Sequence, residues 1–164
     1  MDYRYPATFE PDESGRVVVR FADLPEALTD GGDLAEALSE AADCLSAALA
    51  SRIIDGEAIP AASSPAPGQR LVSPDPTIVL KAALYSEIER REMTVADLAD
   101  LLGMGDWHQA ARLIDPRRSS KLTSLATALG ALGCRVAVSV EGPEPAPGAI
   151  DERLAAAAGG PREG

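Results

Sequence analysis

The sequence predicts an α+β protein, with a small sheet and one helix in front and an all-α helix-turn-helix unit behind that ends in a strand. Three observations carry this. Residues 3–21 hold two β-forming runs around the turn EPDESG. From Asp33 to Ile53 the apolar residues recur at spacings of three and four, the period of a helix with one buried face. Residues 94–122, TVADLADLLGMGDWHQAARLIDPRRSSKL, form two short helical patterns broken by a glycine turn.

Each element follows in order. Residues 3–9 alternate, and Gly15 closes the turn that leads into 16–21, where Val17, Val18 and Val19 favour extended backbone. The two runs pair as a hairpin. Residues 23–33 form a loop with Pro25, Gly31 and Gly32, and with room for a short strand at 27–29. Asp33 and Glu36 open a helix whose stripe is Leu34, Leu38, Ala41, Leu45, Leu49 and Ile53, and Gly56 ends it. Residues 60–68, PAASSPAPG, have the composition of a linker, and a short strand is expected at 69–72. Asp75 caps a helix over 77–91, with Pro76 where a missing amide donor does no harm.

Thr94 with Asp97 is a capping pair, Leu98, Leu101 and Leu102 make an apolar face, and Gly103 suits the left-handed residue that ends a helix. Asp106 with Gln109 opens the next helix, buried through Leu113 and Ile114. A last helix spans 120–132, capped by Ser120, and Gly133 stops it. Arg135, Val136, Val138 and Val140 belong to an alternating run that has no mate in the chain. The same strand of a second copy would supply one, so these residues are the expected dimer contact. The tail, 141–164, is too rich in Pro, Gly and Ala to bury a core and is expected to be disordered.

Charge narrows the function. The chain carries a formal −11, which argues against nucleic acid binding over its whole surface. That charge is uneven: residues 1–76 hold 5 basic and 14 acidic side chains, and residues 77–140 hold 8 and 7. The acidic front suits a basic partner, with Asp23, Glu26, Asp30 and Asp33 as candidate contacts and a merely solvated loop as the alternative. The two cysteines, Cys44 and Cys134, lie in apolar patterns and read as buried free thiols, in keeping with a reducing cytoplasm. No apolar run reaches membrane-spanning length, and no membrane partner is expected.

The back unit carries the more specific signal. In a helix-turn-helix the second helix enters a DNA major groove. His108, Gln109 and Arg112 are its candidate readers, Gln109 suited to adenine and Arg112 to guanine. A surface ion pair of Arg112 with Asp115 is the other reading. Trp107 either packs beneath the helix or lies against the sugar-phosphate backbone. Arg117, Arg118, Ser119, Ser120 and Lys121 are candidate phosphate contacts.

Catalysis is not expected. A two-metal nuclease needs carboxylates converging around metals about 4 Å apart. Asp12, Glu13, Asp23, Asp30 and Asp33 instead fall in turns and helix starts. With His108 the chain's single histidine, a His-rich metal site or a Ser-His-Asp triad in the front unit is excluded. No metal or other cofactor is called for.

Taken together, YPATFEPDE, VVRFADLP, GDLAEAL and DGEAIP in front, with TVADLADLLGM, DPRRSSKL and LATALGALGCRVAV behind, resemble the HicB antitoxins of bacterial toxin–antitoxin pairs. The resemblance covers residues 1–140, with departures at Ala22 and Glu26 in the loop and a longer turn at GMGDW. It implies a front domain like a truncated ribonuclease H fold that masks a small, basic, HicA-like ribonuclease toxin. It implies a back domain that binds operator double-stranded DNA and represses the operon. The expected organisation is a toxin-neutralising domain at 1–59, a linker at 60–74 and a DNA-binding and dimerising domain at 75–140, with dimer or tetramer left open. A stand-alone transcription regulator with a ligand-sensing front domain is the alternative.

Overall fold

In the computed structural model, residues 2–140 are described. Strand β1 (Tyr5–Pro11) pairs antiparallel with β2 (Val17–Phe21), with Ala7 opposite Phe21 and Phe9 opposite Val19. The turn between them is held by the Asp12 carboxylate, which accepts from the amides of Ser14 at 2.8 Å and Arg16 at 3.0 Å. Gly15, at φ 84°, supplies the left-handed residue. Strand β3 (Leu28–Gly31) runs beside β2, and β4 (Arg70–Val72) beside β1, giving an antiparallel sheet in the order β3-β2-β1-β4. Tyr3, expected in the first strand, precedes it and is buried in the core all the same.

Helix α1 (Leu34–Asp55) crosses one face of this sheet. Asp33 caps it by accepting from the Glu36 amide at 2.9 Å, and the Glu36 side chain accepts from the Gly32 amide at 2.5 Å. Its buried face is Ala37, Ala41, Leu45, Ala48, Leu49 and Ile53, so the stripe lies slightly off the expected one and Leu34 is exposed. Leu45 and Leu49 reach zero exposure, each side chain contributing about 1.5–3 kcal/mol of burial. Small residues let the helix approach closely. A Cβ on Gly31 would lie 2.7 Å from the Cα of Ala37, so only glycine fits where β3 meets α1.

The segment after α1 is tied back onto the sheet side. Tyr5 donates its hydroxyl to the Pro60 carbonyl at 2.7 Å, and the Asp23 carboxylate accepts from the amide and hydroxyl of Ser63. Helix α2 (Pro76–Arg90) begins at its cap Asp75, whose own amide donates to Ser46 Oγ at 2.8 Å. The two apolar clusters meet on α2. Ala82 and Tyr85 belong to the cluster under the sheet, and Leu84 and Ile88 to the one among the later helices.

Helices α3 (Val95–Leu101), α4 (Trp107–Ile114) and α5 (Leu122–Ala131) complete the second cluster around Leu98, Ala110, Leu113, Leu125 and Leu129. Thr94 and Asp97 make the reciprocal capping box that their spacing predicts. Gly103 and Gly133 take positive φ at the helix ends.

One expectation is corrected. Ser120 does not cap α5: the cap position is Lys121, without a side-chain cap bond, because the Ser120 hydroxyl is turned inward toward Lys81. Residues 135–140, expected to pair with a second copy, are not in a strand within the single chain. A strand needs a neighbouring backbone, and the described residues offer none: Val138 and Val140 are 85% and 93% exposed, while Val136 packs against the second cluster. The tail expected to be disordered, 141–164, lies outside the described residues.

Candidate functional site

The α3–α4 pair and the loop after it gather the candidate nucleic-acid contacts on one surface. Asp106 opens α4, its carboxylate accepting from the His108 amide at 2.9 Å and facing His108 Nδ1 at 2.7 Å. The amide bond, and then the ring contact, hold the Asp106 carboxyl below its usual range. Trp107 is 53% exposed and stacks on His108 with ring centroids 3.9 Å apart. Packing of Trp107 beneath the helix is therefore ruled out: Ala110 and Leu113 fill α4's inner face, and the indole at its first position stands in solvent. His108, Gln109 and Arg112 are exposed, and their three- and four-residue spacings make one continuous patch.

The Asp115–Lys121 loop continues this patch. Asp115 accepts from the Arg117 guanidinium at 3.0 Å and lies 4.0 Å from Arg118, so it does not form the alternative pair with Arg112. Its carboxyl is lowered chiefly by the Arg117 hydrogen bond. These exposed pairs contribute little stability. Arg117, Arg118, Ser119 and Lys121 face solvent. Beside them, a cleft of about 470 Å³ runs between Arg112, Arg117 and Arg118 on one side and Ile53 and Ile54 of α1 on the other.

Beneath the loop lies a residue that the sequence reading passed over. Lys81 of α2 has zero exposure. Its ammonium donates to the carbonyls of Leu113 at 2.9 Å, Asp115 at 3.0 Å and Arg112 at 3.3 Å, and to Ser120 Oγ at 2.9 Å. The last carbonyls of any helix lack intrahelical partners, and the negative end of its dipole favours a cation. Lys81 serves both needs of α4, which ends at Asp115 in extended backbone before Pro116, without a glycine cap. Burial pushes the Lys81 ammonium down from its ordinary value, with Asp115 opposing. One signal existed in the sequence: Lys81 interrupts the apolar stripe Ile78, Tyr85 and Ile88.

The four acidic candidates of the front unit are all engaged within the chain. Asp23 holds Ser63, Glu26 pairs with Arg52 at 2.5 Å, Asp30 pairs with Arg16, and Asp33 caps α1. They lie along one loop and strand but form no carboxylate cluster. Among the described residues no group of three or more His, Cys, Asp or Glu side chains is placed to hold a metal, and no helix is long and apolar enough to cross a membrane. Cys44 and Cys134 are free and half-buried, and burial raises the Cys44 thiol.

Comparison with known proteins decides the family. The family described as "HicB_like antitoxin of bacterial toxin-antitoxin system" matches residues 4–83. Antitoxin HicB 1 of Photorhabdus laumondii is 34% identical over 139 residues, 84% of this chain and 87% of that protein. The chain belongs to the HicB antitoxin family. Antitoxin HicB 2 of the same organism is 37% identical over 79% of this chain and 91% of its own length. Antitoxin HicB of Escherichia coli is 32% identical over 79% of this chain and 94% of its own length.

Within this HicB-family chain the match at 4–83 takes in the sheet, α1 and the first half of α2, including Lys81. The longer alignments, at 130 to 139 residues, must extend into α3–α5 as well. The expected dimer residues Arg135, Val136, Val138 and Val140 follow α5. Of these, Val136 and Val138 line a groove of about 530 Å³ whose other walls include Tyr3, Leu80, Leu122 and Ala126.

Proposed function

We propose that this chain is the antitoxin of a bacterial toxin–antitoxin pair, that it masks a small basic HicA-like ribonuclease, and that it represses its own operon. The observation that carries the reading is the similarity to three HicB antitoxins over at least 79% of the chain. The sheet with one helix across it supports a truncated ribonuclease-H-like domain acting by occlusion, with no catalysis of its own. Its acidity supports docking to a basic partner, because opposite potentials speed association.

The α3-turn-α4 unit supports the operator reading. Its exposed Gln109 and Arg112 suit base edges, and Arg117, Arg118, Ser119 and Lys121 suit phosphates. The uncovered Val138, on the wall of an apolar groove, and the uncovered Val140 support dimerisation through this end. Co-expression with the short open reading frame beside its gene tests the proposal. A stable complex that rescues growth, and binding of that complex to the operon's promoter DNA, are the expected results. A harmless neighbour that forms no complex would overturn it.

A further inference from the structure

Lys81 occupies an unusual place. It is carried by the helix shared between the two apolar clusters, yet its ammonium ends 2.9–3.3 Å from three carbonyls and a hydroxyl belonging to residues 112–120. Those residues are the end of α4 and the loop that presents Arg117, Arg118 and Lys121. The loop has few other anchors. At its ends the Asp115 amide donates to the Ala111 carbonyl and the Lys121 carbonyl accepts from the Ser124 and Leu125 amides. Between them, beyond Lys81, the bonds are Ser120 Oγ to the Arg112 carbonyl at 3.4 Å, the Arg118 amide to the Asp115 carbonyl at 3.1 Å and the local Asp115–Arg117 bonds.

We infer that Lys81 is a positioning residue for DNA binding, holding the phosphate-contacting loop in register with the reading face of α4 while never touching DNA itself. This rests on the operator reading above. The physical basis is donor geometry. An ammonium has three donors, here divided among four acceptors that converge from two segments. No apolar side chain of the same length can draw those carbonyls to one point. Without the ammonium the carbonyls turn toward water, since buried unsatisfied acceptors are costly. The loop then loses its fixed relation to Gln109 and Arg112.

The substitution Lys81→Met keeps the length and apolar packing of the stem and removes the donors. The experiment measures binding of the full-length chain to duplex DNA carrying its own promoter, at a series of salt concentrations and at a temperature where circular dichroism shows the variant folded. The expected result is an affinity loss of roughly tenfold. The salt slope should fall by about 0.9 for each phosphate contact released. Capture of the co-expressed toxin should be unchanged. A purely structural lysine would lower the melting temperature and leave affinity and salt slope of the folded protein untouched, and that outcome overturns the inference. If Lys81→Met does not fold, Lys81→Gln, which keeps an amide donor, is measured in the same way and judged by the same two readouts. Failure of the unaltered chain to bind DNA removes the operator reading, and this inference with it.

Discussion

Lys81 Nζ and Ser120 Oγ meet at 2.9 Å across 39 residues of sequence, and among the described residues the one other buried charged side chain is Glu87. Truncating the lysine takes the ammonium from all three carbonyls, leaves those of Arg112 and Asp115 with only Ser120 and Arg118 as donors, and opens a void along the stem. Lys81→Ala should therefore destabilise the fold by about 3 kcal/mol. Urea unfolding checks this, and a loss below about 1 kcal/mol would show that water replaces the ammonium.

Gly31 and Ala37 set the distance between sheet and helix. Gly31→Ala places a methyl against helix backbone, which cannot give way as a side-chain tip can, and should cost about 2–3 kcal/mol. Gly32→Ala is the control. Its Cβ would meet only flexible side-chain ends, Glu36 Oε2 at 2.9 Å and Arg16 Nη1 at 4.0 Å, so a much smaller change in thermal midpoint is expected.

Glu87 governs part of the acid response. It is 7% exposed and bonds to Arg90 at 2.7 Å and Arg91 at 3.1 Å, and the Arg90 bond is the main cause holding its carboxyl below the ordinary 4.5. The unfolded chain protonates first as pH falls. The stabilisation is therefore fully present above pH 4.5 and is lost as pH drops through the lowered folded value. Glu87→Gln should lower stability at neutral pH by about 1–2 kcal/mol and flatten the stability profile below pH 4.5. An unchanged acid limb would assign it to other carboxylates.

On the candidate DNA face, the two kinds of contact should separate. Arg112→Ala is expected to cost about 1–3 kcal/mol and relax preference at one base position. Arg117→Ala should weaken binding to all sequences alike and reduce the salt slope by about 0.9. Titrations on the promoter and on a scrambled duplex distinguish them, and identical behaviour of the two variants would contradict the assigned roles.

Val138 is 85% exposed beside the apolar groove. If a second copy covers this end, Val138→Asp should shift the sedimentation of the protein toward monomer without changing its melting as a monomer. A mass already monomeric before substitution would count against the dimer.

Much of the fold was legible because it rests on interactions between near neighbours. The Asp33, Asp75, Thr94 and Asp106 caps, the Asp12 turn and the glycines at 56, 103 and 133 all act within about four residues. Their signals survive in a one-dimensional reading. The order of helices behind the sheet was legible for the same reason. The site was less so. Trp107 was placed by the prior occupation of α4's inner face, and Asp115 pairs with Arg117 rather than, as in the alternative reading, with Arg112.

By itself, then, the sequence determined the family, most of the elements and those helix ends that carry local caps, since caps, periods and turns depend on short-range sterics and hydrogen bonding. Tertiary structure alone decided the rest. It brought β4 beside β1, pressed Gly31 onto Ala37, engaged the front carboxylates with Arg16, Arg52 and Ser63, and drove Lys81 under a loop more than thirty residues away. The causes differ: close packing for Gly31, surface pairing for the front carboxylates, and desolvation for Lys81. A buried polar group must find its partner wherever the packed chain supplies one, and sequence distance does not say where that is.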